Sequence, residues 1–258
     1  MEPDISQFES INLEVANYVA VVTLNRPKVN AQNNVMRKEL ATIFDSLGDR
    51  RDVRAIILTG AGKQFSAGAD LSERPAANPG EYASHNRRVR ASFDCVLECP
   101  KPVIAAVNGA AIGAGCVLAL CCDIIVVSES SFMSMTEVNV GLAGGVSHVR
   151  RHFSESDARL MIFTAKRFTG PELLRMNAAS ECTPEEQLLP KAKEIALMVA
   201  SKSPSAMLAA KKSFQTTENL PLQDAYRFEQ SQTVQLAAHP DTVEAMAAFK
   251  EKRSPIFD

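Results

Sequence analysis

Residues 54–73, RAIILTGAGKQFSAGADLSE, and residues 101–127, KPVIAAVNGAAIGAGCVLALCCDIIVV, are the stretches that decide the fold of this chain. Each opens on a run of β-branched and apolar residues and continues into a loop of glycine and alanine. Continuous apolar runs of this length are typical of strands buried on both faces of a parallel sheet. In the second stretch a helix of small residues, Gly113–Leu120, follows the loop. The two stretches therefore predict strand–loop–helix units of an α/β protein.

The rest of the chain extends this pattern. Strands and helices alternate to about residue 145, and only helical spacing follows, which predicts an α/β core and a helical C-terminal part. A polar stretch that ends at Gly80 is predicted to be mobile. The predicted strands are Ile11–Ala16, Val19–Leu24, Arg54–Thr59, Pro102–Val107 and Asp123–Val127. The other predicted helices are Val35–Leu47, Tyr82–Glu98, Val149–Thr164, Pro171–Met176, Glu185–Lys202, Ser205–Thr216, Leu222–Leu236 and Thr242–Lys252.

Composition excludes several classes of function. The chain has 258 residues, a hydrophobic fraction of 46% and a net charge of -2, which gives no global attraction for nucleic acid or an anionic membrane. Its six cysteines lack zinc spacing and predict small buried side chains rather than a metal site. An acidic N-terminus without an apolar segment, and no apolar run of about 20 residues, predict a cytoplasmic protein.

Three glycine-containing motifs resemble known functional loops but depart from them. Gly60-Ala-Gly-Lys63 lacks the first glycine and the final Ser or Thr of a phosphate-binding loop. Ser66 is not in a nucleophile elbow, because Gln64 occupies a glycine position. The segment from Gly113 has leucine at the third glycine position of the dinucleotide fingerprint. This departure disfavours a nicotinamide-dependent oxidoreductase, which stays open as an alternative.

The small residues themselves indicate another use. Two loops that follow buried strands can each bring a backbone amide close to a ligand, one of them at Ala69. The other lies at the start of a helix, where amides are unpaired and the helix dipole is positive. Such a place holds either a pyrophosphate or an oxyanion, and two amides from separate loops would form an oxyanion hole.

Taken together, these stretches resemble the crotonase (enoyl-CoA hydratase/isomerase) superfamily. The match also includes LNRPKVNA (24–31), AKRFTGPELLRMN (165–177) and FKEKRSPIF (249–257), so that it covers nearly the whole chain. The resemblance implies a crotonase-like spiral of ββα turns over residues 1–195 and a helical trimerisation region over residues 196–258. It also implies an acyl-CoA thioester substrate, no cofactor or metal beyond the coenzyme A of that substrate, and a homotrimer or a dimer of trimers.

The resemblance further implies the residues of the site. The thioester oxygen would accept hydrogen bonds from the amides of Ala69 and Ala114, and Glu137 would be the catalytic carboxylate. Arg26 and Lys28 would meet the phosphates of coenzyme A. The full set of substrate-binding residues implied is Arg26, Lys28, Asn30, Ala31, Ala67, Gly68, Asp70, Leu71, Gly113, Val117, Phe249 and Lys252.

The carboxylates point to the reaction. Hydratases of this superfamily carry two glutamates, and the first of these positions is Val117 here while the second is Glu137. A single base that moves one proton from C2 to C4 is enough for Δ3-to-Δ2 isomerisation of an enoyl-CoA, so this reaction is favoured. Two alternatives stay open: a hydratase that uses a substitute acid (Glu73, Glu81 or His85) and a non-catalytic CoA-binding protein. His148 is interpreted either as a residue that supports the site without touching the substrate or as a packing residue.

Overall fold

The computed structural model describes residues 8–74 and 78–257. The first seven residues, which the interpretation of the N-terminus used, lie outside the described residues. So do residues 75–77 of the stretch predicted to be mobile. The strands are β1 (Ile11–Ala16), β2 (Val19–Leu24), β3 (Ala55–Gly60), β4 (Gln64–Ser66), β5 (Val103–Val107), β6 (Ala110–Ile112), β7 (Ile124–Ser128), β8 (Phe132–Ser134), β9 (Phe168–Thr169) and β10 (Glu181–Thr183).

The strands form two sheets. One has six strands in the order β1-β2-β3-β5-β7-β10, and the other has four in the order β4-β6-β8-β9. Three successive pairs, β3 with β4, β5 with β6 and β7 with β8, each contribute one strand to each sheet. Strands β2, β3, β5, β7 and β10 pair in parallel throughout, and so do β4, β6 and β8. This repetition makes the chain a spiral, as predicted, and it stacks the loops that follow β4 and β6.

The helices cover most of the remaining described residues. They are α1 (Asn34–Asp49), α2 (Pro79–Leu97), α3 (Ala114–Leu120), α4 (Val146–His152), α5 (Glu155–Thr164), α6 (Gly170–Arg175), α7 (Glu185–Ala200), α8 (Pro204–Thr217), α9 (Leu222–Leu236) and α10 (Pro240–Glu251). Every helix predicted from sequence spacing has a counterpart within a few residues. The exception is the segment 149–164, which forms two helices instead of one. Ser154 caps the second of them by accepting a hydrogen bond from the Asp157 amide, which favours a new helix start over continuation.

The prediction that only helices follow residue 145 is wrong. Strands β9 and β10 are two and three residues long and complete the edges of the two sheets. Strands β4, β6 and β8 were also not predicted, and each is three residues long. Segments of this length are too short to show an alternation of apolar and polar residues, so periodicity cannot detect them.

Helix α7 closes one face of the six-stranded sheet. Its buried alanines, Ala192, Ala196 and Ala200, form a cluster with strand residues that include Ile57 and Ile104. The boundary predicted between residues 195 and 196 therefore lies inside a continuous helix, and α7 packs as part of the core. The remaining helices, α8 to α10, begin at Pro204.

The C-terminal helices expose large apolar side chains. Phe214 on α8, Leu222 and Val234 on α9 and Phe249 on α10 are 76–85% exposed. A contiguous patch of such side chains would mark an interaction surface, whereas apolar side chains exposed singly are normal. Among the described residues, none of these helices or any other is long and apolar enough to span a membrane.

Candidate active site

The loop after β4 presents the amide of Ala69. Gln32 pairs with this loop as a short parallel bridge: its amide donates to the Gly68 carbonyl (2.7 Å), and its carbonyl accepts from the Asp70 amide (3.1 Å). The bridge thus uses the groups on either side of the Ala69 amide and leaves that amide free. Gly68 has a φ of 92°, and an added methyl group would lie 2.5 Å from the Ile112 carbonyl oxygen, so this position requires glycine.

The loop after β6 presents the amide of Ala114, the first residue of α3. The preceding residue, Gly113, has a φ of 54° and donates its own amide to the Ser134 carbonyl (2.8 Å). A methyl group on Gly68 would lie 3.3 Å from the Ala114 nitrogen, which shows how closely the two loops approach. Among the described residues, no acceptor is found for the amide of Ala69 or Ala114. The structure therefore brings the two predicted amides together, both unpaired.

Two buried polar side chains hold the segment around residue 30 against these loops. Gln32 donates through Nε2 to the Ala114 carbonyl (3.1 Å), and Ser66 donates through Oγ to the Asn30 carbonyl (2.7 Å). Neither residue was predicted to belong to the site. Their partners lie more than 30 residues away in the chain, so no local pattern identifies them.

Glu137 lies in the segment that follows β8. It begins a short 3-10 helix, Glu137–Val140, directly after β8. A methyl group on Gly113 would lie 2.6 Å from its Oε1, so the carboxylate is next to the Ala114 loop. Its Oε2 is buried and has no hydrogen-bond partner among the described residues. Burial raises the pKa of Glu137 above its usual value, since an unsolvated carboxylate favours the protonated form.

The side of the site next to Glu137 is apolar. Val117, on the first turn of α3, is 3% exposed. A methyl group on Gly145 would lie 2.9 Å from Val117 Cγ2 and 2.4 Å from Met135 Cε, so these three residues form a compact wall. This wall has a valine, and no carboxylate, at position 117.

In the predicted coenzyme A segment around residue 30, the side chain of Asn30 makes only internal hydrogen bonds. Asn30 is 3% exposed, donates through Nδ2 to the carbonyls of Ala61 (3.0 Å) and Gln64 (2.8 Å), and accepts the Arg26 amide at Oδ1 (3.0 Å). With these bonds made, its side chain has no polar atom left for a ligand. That Asn30 belongs to the coenzyme A-binding segment stays a prediction, and its side chain supports the fold of that segment.

Arg26 joins the two predicted binding segments. It forms an ion pair with Asp70 (2.7 Å) and donates to the Ala31 carbonyl (3.0 Å). Hydrogen bonds from Ser72 and the Arg26 pair lower the pKa of Asp70. Because the ion pair is partly exposed, its guanidinium keeps a face to solvent.

The other predicted binding residues divide into two groups. Ala67, Lys28 and Leu71 lie on the same surface as Arg26, and Leu71 is 68% exposed. Phe249 and Lys252 lie at the end of α10, and no hydrogen bond described for this chain links them to the other site residues. The structure of the single chain therefore does not bring these two residues to the site.

The candidate substitute acids lie on or near α2. Glu73 accepts a hydrogen bond from the Asn34 amide (2.7 Å), and Glu81 is exposed in the first turn of α2. His85 is half-buried, and burial together with nearby Arg37 and Arg88 lowers its pKa. His148 makes an edge-to-face contact with Phe93 (5.7 Å between ring centres), as a packing residue would.

The cysteines are all free thiols. Four are buried, whereas Cys95 and Cys182 are half-buried. Burial raises the pKa of the Cys95 and Cys121 thiols to about 12, so neither is a thiolate at neutral pH. Within the ranges 8–74 and 78–257, no cluster of three or more His, Cys, Asp or Glu side chains is suited to a metal ion.

Comparison with known proteins agrees with this geometry. The family model described as enoyl-CoA hydratase/isomerase matches residues 14–258. A short-chain-enoyl-CoA hydratase of Clostridium acetobutylicum is 35% identical over 252 residues, which cover 96% of this chain and 97% of that protein. A probable mitochondrial enoyl-CoA hydratase of Dictyostelium discoideum is 34% identical over 254 residues, covering 96% and 91% of the two chains.

The likeness extends to solved structures. The crystal structure of an enoyl-CoA hydratase from Bacillus anthracis superposes with a TM-score of 0.92 at 31% sequence identity and covers 96% of this chain and 99% of that one. The matches in sequence and in structure both cover nearly the full length of the chain. The chain belongs to the enoyl-CoA hydratase/isomerase family, the crotonase superfamily of acyl-CoA enzymes.

Proposed function

We propose that this enzyme is a Δ3-Δ2 enoyl-CoA isomerase that works with one carboxylate, Glu137. The observation that carries the proposal is the pairing of a buried, unpartnered Glu137 oxygen with an apolar residue, Val117, where hydratases have a second glutamate. A base of raised pKa in an apolar site suits the transfer of a proton to and from carbon.

The proposed reaction has two proton transfers. Glu137 removes a proton from C2 of a 3-enoyl-CoA, and the electrons move onto the thioester oxygen, which becomes an enolate. The amides of Ala69 and Ala114 donate hydrogen bonds to this oxygen. One such donor is worth about 2.7–4 kcal/mol in a dry site. The same carboxyl group then returns the proton at C4, the double bond moves to C2, and the thioester carbonyl re-forms.

The coenzyme A part of the substrate is proposed to lie along the surface of Arg26, Lys28, Ala67 and Leu71. The Arg26 guanidinium and the exposed Lys28 ammonium supply positive charge for phosphates, which the net charge of the chain does not. Gly68 and Asp70 belong to the same segment. Ala31 supports it by accepting a hydrogen bond from Arg26, and Asn30 supports it by donating one to the Phe65 carbonyl.

The oligomer is proposed to be a trimer or a pair of trimers. The exposed apolar side chains of α8 to α10 support an interface on this face. In such an assembly, Phe249 and Lys252 would reach the coenzyme A bound by a neighbouring subunit, which explains why they lie apart from the site of their own chain.

Hydration of 2-enoyl-CoA is the second candidate. It is favoured by the names of the relatives from Clostridium acetobutylicum and Dictyostelium discoideum, both described as hydratases. A second acid would then have to come from α2 or the turn before it. His85 and Glu81 are available, whereas Glu73 already accepts the Asn34 amide.

Isotope incorporation tests the choice between the two reactions. The enzyme is incubated with a 3-enoyl-CoA or a 2-enoyl-CoA in heavy water and, separately, in water labelled with oxygen-18. A shifted double bond without labelled oxygen in the product is expected. Labelled oxygen at C3 instead means hydration and overturns the proposal, and labelled oxygen in a free acid means thioester hydrolysis and overturns both candidates.

A further inference from the structure

Arg37, on α1, has a guanidinium that nothing in its surroundings satisfies. The residue is 3% exposed, and none of its three side-chain nitrogens has a hydrogen-bond partner among the described residues. Burial of an unpaired charge is strongly unfavourable, and buried polar groups in native proteins nearly always have partners. Burial also lowers the pKa of Arg37. The proposed reaction gives this side chain no task.

The carboxylates near Arg37 are already used. Glu73 accepts the Asn34 amide (2.7 Å), and Asp70 is paired with Arg26 (2.7 Å). Arg88 of α2 also acts on Arg37 electrostatically and donates to Asn34 Oδ1 (3.2 Å). Since Asp70 is paired with Arg26, the guanidinium groups of Arg37 and Arg88 share one remaining carboxylate, Glu73. The cluster has one positive charge in excess, and its buried member is the one without partners.

The cluster lies next to the oxyanion loop. The segment from Asp70 to Glu73 directly follows Ala69, and Gln32, which bridges to Ala69, precedes α1 by two residues. Arg37 is the fourth residue of α1, about 4.5 Å of helix rise beyond Asn34. Glu73 and Arg88 both bond to Asn34, one helical turn before Arg37, so the cluster borders the segment that continues from Ala69.

We propose that Arg37, assisted by Arg88, binds a carboxylate at the far end of the acyl group, so that the preferred substrates are thioesters of dicarboxylic acids. The inference rests on the proposed function, which places the acyl group between the two amides and Glu137. A carboxylate matches a guanidinium in two parallel hydrogen bonds and supplies the missing negative charge.

Binding of unreactive thioesters tests this proposal without any turnover. The full chain is titrated calorimetrically with glutaryl-CoA and pentanoyl-CoA, which have five acyl carbons each and differ in a terminal carboxylate or methyl group. We expect glutaryl-CoA to bind on the order of tenfold to a hundredfold more tightly. Equal dissociation constants for the wild-type chain overturn the proposal, and so does binding of free glutarate as tight as that of glutaryl-CoA.

Variants identify the residue. Arg37→Met keeps an unbranched apolar stem but removes the guanidinium, and it is expected to reduce the preference to less than about threefold, while Arg88→Met reduces it in part. Arg90→Met, at an exposed position of α2, is the matched control and keeps the full preference. A preference that survives Arg37→Met in a folded chain overturns the assignment. If Arg37→Met does not fold, an unchanged preference in Arg88→Met overturns it.

This test and the isotope experiment fail independently. Saturated thioesters carry no double bond, so their affinities do not depend on whether Glu137 catalyses isomerisation or hydration. Conversely, isomerisation of an uncharged 3-enoyl-CoA does not require Arg37. A chain that prefers glutaryl-CoA through Arg37 but hydrates its substrate would overturn only the proposed reaction.

Discussion

The site has an amide side, the loops that present Ala69 and Ala114, and a carboxylate side, formed by Glu137 and the wall of Val117, Met135 and Gly145. Different kinds of atoms fix the shape of each side. On the amide side, a methyl group added to Gly68 or Gly115 would lie 2.5 Å or 2.3 Å from a backbone carbonyl oxygen. On the carboxylate side, the nearest atoms to a methyl group on Gly113 or Gly145 belong to side chains, those of Glu137 and Met135. Around Gly144 there is open space within 4 Å.

This difference separates what is common to the superfamily from what selects the reaction. Backbone amides stay in place whatever the neighbouring side chains are, provided that the loops can approach each other. A carboxylate can be removed or moved by a single substitution, as the valine at position 117 illustrates. In the proposed reaction, the amide side would stabilise the enolate, and the carboxylate side would decide where the proton is returned.

The largest effect is expected from Glu137→Gln, which removes the base and keeps its shape. We expect kcat for isomerisation to fall about 10²- to 10⁴-fold, the range for loss of a general base. The measurement is steady-state kinetics with a 3-enoyl-CoA, and the dissociation constant of a saturated acyl-CoA serves as the control, with little change expected. Wild-type turnover in this variant would mean that the reaction does not depend on the carboxylate side.

Gly115→Ala tests the rigidity of the amide side. Its methyl group would lie 2.3 Å from the Ser66 carbonyl oxygen, so the β4 and α3 segments must separate. We expect the free energy of unfolding to fall by about 1–3 kcal/mol, as for other overpacked sites. Chemical denaturation measures it. Gly144→Ala, on the open side, is the matched control and should change stability by less than about 0.5 kcal/mol. Equal effects of the two would remove the contrast.

Gln32→Leu probes the tie between the amide loops. The substitution removes the hydrogen bond to the Ala114 carbonyl (3.1 Å) but also removes a buried Oε1 that has no partner among residues 8–74 and 78–257. These effects oppose each other, so stability should change by less than about 1 kcal/mol. We expect kcat to fall less than tenfold, with Gln187→Leu on α7 as an unaffected control. A loss as large as that of Glu137→Gln would show that side chains also hold the amide side.

The smallest effect concerns the pH dependence of stability. Because burial raises the pKa of Glu137 in the folded chain, the folded state holds this proton more tightly than the unfolded state. The free energy of unfolding therefore falls as pH rises above 4.5, the ordinary pKa of a glutamate. It stops falling once Glu137 has also ionised in the folded state. Glu137→Gln should gain stability relative to wild type over this window. Denaturation curves from pH 4 to pH 8 measure the difference, and a constant difference contradicts the raised pKa.

Much of the fold followed from local sequence. The buried strands β3, β5 and β7 were predicted within a residue or two, because continuous β-branched runs have few other uses in a soluble chain. The short strands of the second sheet were not predicted, because three residues carry no period. Their pairing depends on partners that lie more than 20 residues away in the chain.

The sequence by itself determined the family, and it predicted the two amide positions and one catalytic carboxylate rather than two. These are properties of residue type at fixed positions, and small residues beside a buried strand allow few alternatives. Only the tertiary structure decided that Asn30 is consumed by internal hydrogen bonds, that Gln32 joins the two loops, and that Arg37 is buried without a partner. Hydrogen bonding and burial depend on which distant segments meet, and this information is absent from the local pattern of a single sequence.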